Sequence, residues 1–396
     1  MSTHSSSHVH AKPAPVGGPL FNAVTLISGV LILTMAVILL VRFVYGLGSV
    51  TALNDGYPWG IWIAVDVVIG SAFACGGFSV AMLVYIFNKG EYHPLVRPAL
   101  LASLLGYTLA GVGVIFDLGR WWNVWNMFWP GSVNPNSVMF EVAVCITAYI
   151  MVMWIEFAPT FFEKFGMDNA KRKLSKFMFA IIALGTLLPM MHQSSLGTLL
   201  VVMGEQVHPL WQTPTLPALY LLSAITMGYA VVLFESCLAS AAYRRSIEMH
   251  LLTPLAKVML GMLAAFLILR LGDLVVRGAL PRAFGLSLEA VFFWLEMLCF
   301  IAPFFVIGSA ANRRNPAKLF VAGILLMLGG ALLRLNGFLI AYQPVIGVET
   351  SGVNFSYFPT LPELLVTVGM FAIEVFAYIV ITRRFPVLPR EEVKPA

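Results

Sequence analysis

The chain has 396 residues, 59% of them hydrophobic and only 11% charged, with a net charge of +5 and a mean hydropathy of +0.87. That composition excludes an ordinary soluble domain, and the absence of recurring ten-residue alternation argues against a β-barrel. It predicts an all-α integral membrane protein, in which the positive charge reports topology and requires no nucleic-acid partner.

At roughly 20 residues per crossing, ten apolar stretches are long enough to span a bilayer as helices: Phe21–Leu47, Gly60–Phe87, Arg97–Leu118, Ser137–Pro159, Leu174–His192, Thr215–Ser240, Leu252–Val276, Leu286–Ser309, Ala317–Tyr342 and Thr360–Thr382. Met1 to Pro19 is polar, rich in Ser, His and Pro, and reads as a disordered tail. Lysine and arginine gather in alternate connections, as at Lys89, Lys171, Arg172, Lys173, Arg244, Arg245, Arg313 and Arg314, and in the C-terminal tail, whereas the opposite connections hold only Arg120, Arg277 and Arg282. The positive-inside rule then places both termini in the cytoplasm. The outer connections are longer and aromatic, above all Trp121, Trp122, Trp125, Phe128 and Trp129, which suggests a docking surface above a ligand pocket.

Ionisable residues inside a bilayer are costly and mark candidate sites. On helix 2, Asp66 follows Pro58 by about 12 Å of helix axis and reads either as a proton donor or as a buried carboxylate bonded to a neighbouring helix. Asp117 and Arg120 are three apart and can pair on one helix face. Glu141 enters the fourth span about one turn from the same outer surface. His192 is the one histidine of seven that lies within a membrane-length apolar stretch, where Met191-His192-Gln193-Ser194-Ser195 brings polar groups to the end of the fifth span. Asp66, Asp117, Arg120, Glu141 and His192 are thus expected to converge at one depth. A second set comprises Glu235, Arg270, Asp273, Glu296, Arg334 and Glu374. It reads either as a ladder for protons or as structural ion pairs holding a bundle together.

The four cysteines, Cys75, Cys145, Cys237 and Cys299, fall on four different spans without C-x-x-C or ferredoxin spacing, and a bis-histidine haem needs a second intramembrane histidine. The sequence therefore predicts no haem and no iron–sulfur cluster in this chain. Electrons would arrive from a partner and leave on a dissociable quinone.

Five separated strings carry a resemblance: the stretch from Asn54 to Trp62, Tyr92-His93-Pro94-Leu95-Val96-Arg97-Pro98, Met191-His192-Gln193-Ser194-Ser195, Val207-His208-Pro209-Leu210-Trp211-Gln212 and Tyr357-Phe358-Pro359-Thr360. In this order they resemble the NrfD/polysulfide-reductase membrane-subunit family, in its HybB-type branch that serves [NiFe] hydrogenases. The resemblance implies a haem-free, quinone-reactive subunit of the bacterial inner membrane that uses menaquinone or ubiquinone. It also implies two four-helix bundles, assigned to residues 53–197 (helices 2–5) and 198–343 (helices 6–9). Helix 1 (20–52) and helix 10 with its tail (344–396) flank them, after the tail 1–19. The implied partners are a periplasmic ferredoxin-like iron–sulfur subunit and the small and large [NiFe] hydrogenase subunits, with the functional face periplasmic.

In that reading His192 hydrogen-bonds a quinone carbonyl and supplies a proton, Asp66 relays the second, and Trp59, Asp117, Arg120, Glu141 and Ser194 contribute to the site. A secondary transporter, which shares buried charges and Gly/Pro-interrupted spans, and a membrane anchor without quinone chemistry remain alternatives.

Overall fold

A computed structural model describes residues 13–57, 59–344 and 355–389. Residues 1–12 of the expected tail, Pro58, the middle of the connection before the last span and the end of the C-terminal tail lie outside the described residues. Ten helices among the described residues are long and apolar enough to cross a membrane: α1 (Ala23–Tyr45), α2 (Trp62–Ile86), α3 (His93–Asp117), α4 (Val138–Phe165), α5 (Met178–Val202), α6 (Leu216–Tyr243), α7 (Met249–Val276), α8 (Leu288–Ile307), α9 (Pro316–Ile340) and α10 (Leu361–Arg384). Helices are forced by the solvent, because hydrocarbon offers no partner to a free N–H or C=O. The chain is a multi-pass membrane protein, as its composition predicts.

Helix ends follow local chemistry. Asn22 and Thr25 form a reciprocal capping box at the start of α1, and Thr360 and Glu363 do so at α10. Gly166 ends α4 at φ 67°, a left-handed position that glycine adopts without steric cost. Pro13–Ala14 pairs antiparallel with Leu388–Pro389, so both ends of the described chain meet on the face that carries the basic connections. Trp122, Trp125, Phe128 and Trp129 stand exposed on the opposite, aromatic face.

The core is organised about α2 and α6. Some 89% of the apolar window of α2 and 72% of that of α6 are buried, against 22% for α1. Small residues let the backbones approach: a Cβ added to Gly228 of α6 would sit 2.6 Å from the Cys75 carbonyl oxygen, and one added to Gly77 would sit 2.9 Å from Ser103 Oγ on α3. Around this axis α2 packs on α3, α6 and α9; α4 lies between α3 and α5; α5 reaches α6; and α6 holds α7 and α9, with α8 on α9. Helices α1 and α10 pair with each other, and α10 rests on α2 and α3. The α2 backbone widens into π-helical turns at Trp62–Ile69 and Met82–Ile86, with a break at Ala74–Cys75. Such turns are rare and concentrate near functional sites.

One boundary differs from expectation. The fifth span does not end at His192: α5 runs ten residues further, to Val202. The Ser194, Ser195 and Thr198 hydroxyls donate to the carbonyls of Met191, Met191 and Ser194. These bonds satisfy the hydroxyls within the span, and His192 lies ten residues before the helix end, well inside the apolar stretch.

The α2–α6 contact gives a direct prediction. Gly228→Val should destabilise the protein by about 1–3 kcal/mol or more through overpacking, lowering the thermal midpoint in detergent. Gly261→Ala on α7, where an added Cβ meets nothing within 4 Å, should leave the midpoint unchanged or raise it.

Candidate functional site

The polar groups of α2, α3 and α5 meet at His192. Its Nδ1 is 3.0 Å from the Leu188 carbonyl oxygen; a carbonyl only accepts, so Nδ1 carries the proton and Nε2 of the neutral ring is left as an acceptor. The Tyr107 hydroxyl of α3 meets that nitrogen at 2.8 Å and lies 3.4 Å from Cys75 Sγ of α2. Gln193 Nε2 donates to Ser71 Oγ at 3.2 Å and sits 3.3 Å from His192 Nε2. Tyr149 packs its ring edge-on to Tyr107, with centroids 4.6 Å apart. Ser71, Cys75, Tyr107, His192 and Gln193 are all shut off from the surroundings.

This cluster continues into the other half of the molecule. Arg334 of α9 is completely buried and donates from Nη2 to Gln193 Oε1 at 3.0 Å and to the Tyr220 carbonyl at 3.3 Å. Its Nη1 donates to Ser223 Oγ at 3.1 Å and to the Gly330 carbonyl at 3.2 Å. The guanidinium also stands 5.0 Å from the Tyr220 ring centroid, a cation–π contact. No carboxylate is among these partners, and Nε has none. A desolvated cation solvated only by neutral acceptors makes the cluster a region that favours negative charge.

The other predicted residues fall into separate groups. Asp66 turns away from His192 toward α10, where Thr367 donates to its Oδ2 at 3.2 Å; its Oδ1 has no partner among the described residues. It lines a small cavity with Gly106 and Glu374. Near Asp117, Arg42 of α1 donates to the carbonyls of Phe116, at 2.8 Å from Nε, and Leu118, while Arg120 is exposed. Glu141, also exposed, accepts from Ser195 Oγ at 2.8 Å. Ser194 spends its hydroxyl on its own helix. Trp59 lies against Phe338 with centroids 5.2 Å apart, next to Tyr57, Tyr342 and Tyr357, which form an aromatic group at the mouth of α2.

The second predicted set divides as well. Arg270 and Glu296 pair at 3.4 Å, both fully buried, and Glu296 Oε2 also accepts from Trp211 Nε1 at 2.8 Å and Asn336 Nδ2 at 2.9 Å. Asp273 pairs with Arg277 at 2.8 Å and accepts from Thr213 at 2.6 Å. Glu235 accepts from the Tyr378 hydroxyl, and it lines one groove with Glu374. Arg334 alone joins the His192 cluster.

Tyr107, Gln193 and Ser71 are the members that sequence reasoning passed over. Gln193 was visible beside His192. Tyr107 sits in a continuous apolar run in which a tyrosine reads as one more hydrophobic residue, and only the packing of α3 against α2 and α4 turns its hydroxyl toward His192.

Comparison with known proteins adds an independent line. The model of the family described as polysulphide reductase, NrfD, matches residues 49–346. A protein of Escherichia coli (strain K12) named "Probable Ni/Fe-hydrogenase 2 b-type cytochrome subunit" is 46% identical over 380 residues, covering 95% of each chain. A protein of Nitratidesulfovibrio vulgaris named "Menaquinone reductase, integral membrane subunit" is 26% identical over 373 residues, 87% of each chain. The first name corrects one expectation: it designates a b-type cytochrome, which overturns the prediction of a haem-free chain. That prediction rested on counting histidines, yet methionine, cysteine and tyrosine also serve as axial ligands. Tested against such a group, the His192 surroundings do not fit as they stand. Both ring nitrogens are engaged in hydrogen bonds, to the Leu188 carbonyl and the Tyr107 hydroxyl. The chemistry derived for these residues therefore includes no haem step. The relatives are named as redox subunits, and with the family match spanning most of the sequence, this membrane electron-transfer chain belongs to the polysulphide reductase NrfD family.

Proposed function

We propose that the chain is the quinone-reducing membrane subunit of a hydrogen:quinone oxidoreductase in the bacterial inner membrane, with its aromatic face periplasmic and its basic face cytoplasmic. The hydrogenase 2 and menaquinone reductase relatives support this class, and the buried Tyr107–His192–Gln193–Arg334 network carries it. Hydrogen is oxidised by [NiFe] hydrogenase small and large subunits, and a ferredoxin-like iron–sulfur subunit docks on the exposed Trp122, Trp125 and Trp129. A quinone accepts two electrons and two protons to become quinol.

The chain's residues manage the protons. The Tyr107 hydroxyl donates a proton toward the quinone, and His192 Nε2, unprotonated at rest, receives a proton from the cytoplasmic supply and passes it to the tyrosinate, twice for each quinol formed. Because both of its ring nitrogens are engaged, His192 acts through the Tyr107 hydroxyl. Arg334, one side chain away through Gln193, stabilises the negative charge left when a proton departs. The group of Trp59, Tyr57 and Phe338 supplies an apolar, aromatic approach.

The proton source in this reading is cytoplasmic. Asp66, Glu374 and Glu235 line adjoining cavities that share Phe73, Phe371 and Glu374, and a further cavity shares Glu235 and Tyr378 and reaches Arg245 and Leu388 at the basic face. Each charge drawn across 100 mV involves about 2.3 kcal/mol, so quinone reduction supplied this way stores energy. Arg270, Asp273 and Glu296 are closed into local pairs instead, which suits a structural role.

Three outcomes follow. In the purified complex, His192→Ala and Tyr107→Phe should lower hydrogen-dependent quinone reduction by about 10²-fold or more, while dye-linked hydrogen oxidation, which bypasses this subunit, stays at the wild-type rate; equal losses in both assays would remove the site from the reaction. Gln193→Leu, which leaves Arg334 Nη2 short of an acceptor, should cost about 1–3 kcal/mol of stability in detergent, with Ser194→Ala within about 0.5 kcal/mol of wild type. In proteoliposomes, Glu374→Gln should abolish charge movement during turnover and Glu296→Gln should retain it; the reverse pattern would place the proton route in the second half of the molecule.

A further inference from the structure

A groove of about 630 Å³ runs between α10 and α6, walled by Phe73, Phe234, Leu238, Met327, Phe371 and Val375. Leu238, Phe371 and Val375 remain 48%, 37% and 44% exposed, so the groove opens sideways to the bilayer. The groove runs beside α10, which is held by α1, α2 and α3 and is bonded to α6 through Tyr378–Glu235 and, nearer the basic face, Tyr243–Thr382. Folded interiors leave few voids larger than a water molecule, and an apolar trough of this volume, in the range of small-molecule sites and open to the bilayer, suits an acyl chain.

The rim shows which kind. Arg383, on the last turn of α10, lines the groove at its basic end, and its Nε and Nη1 are buried with no hydrogen-bond partner among the described residues. A guanidinium at this end of the groove supplies the positive charge that a phosphate matches. Arg383 and Phe371 are twelve residues apart, about 18 Å along the helix, close to the roughly 15 Å half-thickness of the hydrocarbon core. Cationic rim and apolar trough thus span one leaflet in the order head group, then chain. A neutral quinone has no charge to match Arg383.

We propose that this groove binds one anionic phospholipid of the leaflet at the basic face, its phosphate on Arg383 and an acyl chain laid along Val375 and Phe371. The bound chain seals the flank of α10 and covers Glu374 and Glu235 on the bilayer side, leaving the carboxylates to face one another and the protein. The site is separate from the His192 cluster and borders Glu374 and Glu235 of the proposed proton route.

The test is native mass spectrometry of the intact complex after exchange into a neutral detergent, with phosphatidylglycerol and phosphatidylcholine supplied at equal concentration. One phosphatidylglycerol per chain is expected to persist on wild type. Arg383→Gln should reduce that retention roughly tenfold, and Val375→Trp, which fills the trough without touching the rim, should reduce it likewise, both with dye-linked activity at the wild-type level. If Val375→Trp fails to assemble, Arg383→Gln decides alone, and if neither assembles, the preference of wild type for phosphatidylglycerol over phosphatidylcholine decides. Equal retention of the two lipids by wild type, undiminished retention by Arg383→Gln, or a quinone in place of the phospholipid would each overturn the proposal.

Discussion

A hydrogen bond of 3.0 Å between Arg334 of α9 and Gln193 of α5 joins the two halves of the molecule where water is excluded. Each group is better satisfied with the other, because a polar group left short of a partner in hydrocarbon costs free energy. Each therefore fixes the other, and the helices that carry them must hold their register. The bond works because Gln193 has both an acceptor and a donor, turning its oxygen to Arg334 and its nitrogen to Ser71 and the His192 ring.

That register depends on the small residues of α2 and α6. Gly228 meets the Cys75 carbonyl more closely than any side chain would permit, and the same stretch of α2 presents Ser71 and Cys75 to the cluster. The broken and widened backbone of α2 is thus part of the site: it brings short polar side chains to Tyr107 and Gln193 while allowing α6 to pack against its other side. The positive charge of Arg334, unmatched by any carboxylate partner, gives the cluster its bias toward negative charge.

Much of this architecture is legible in the sequence, and the part that is not has a physical cause. Span number and position follow from hydropathy, since a bilayer admits few alternatives to an apolar helix. His192 stands out because nothing else in its span can ionise. The expected convergence of Asp66, Asp117, Arg120 and Glu141 upon it could not be judged by depth alone: depth along a helix is readable from residue number, but the azimuth depends on which neighbour each face meets. Asp66 faces Thr367 of α10, a contact separated by 301 residues that no local pattern encodes. From the sequence Arg334 belongs to the second-half set, a proton ladder or structural ion pairs, whereas its side chain crosses to the first. Haem was excluded by a ligand count too narrow for the chemistry it addressed.

The account stands on where the quinone meets the chain. Photolabelling of the intact complex with an azido-quinone, followed by mapping of the modified peptides, tests this directly. Labels on the outer half of α2 near Trp59 and on α3 and α5 around Tyr107 and His192, suppressed by excess natural quinone, are the predicted result. Suppressible labels confined to α7 and α8, or to the groove between α6 and α10, would contradict it.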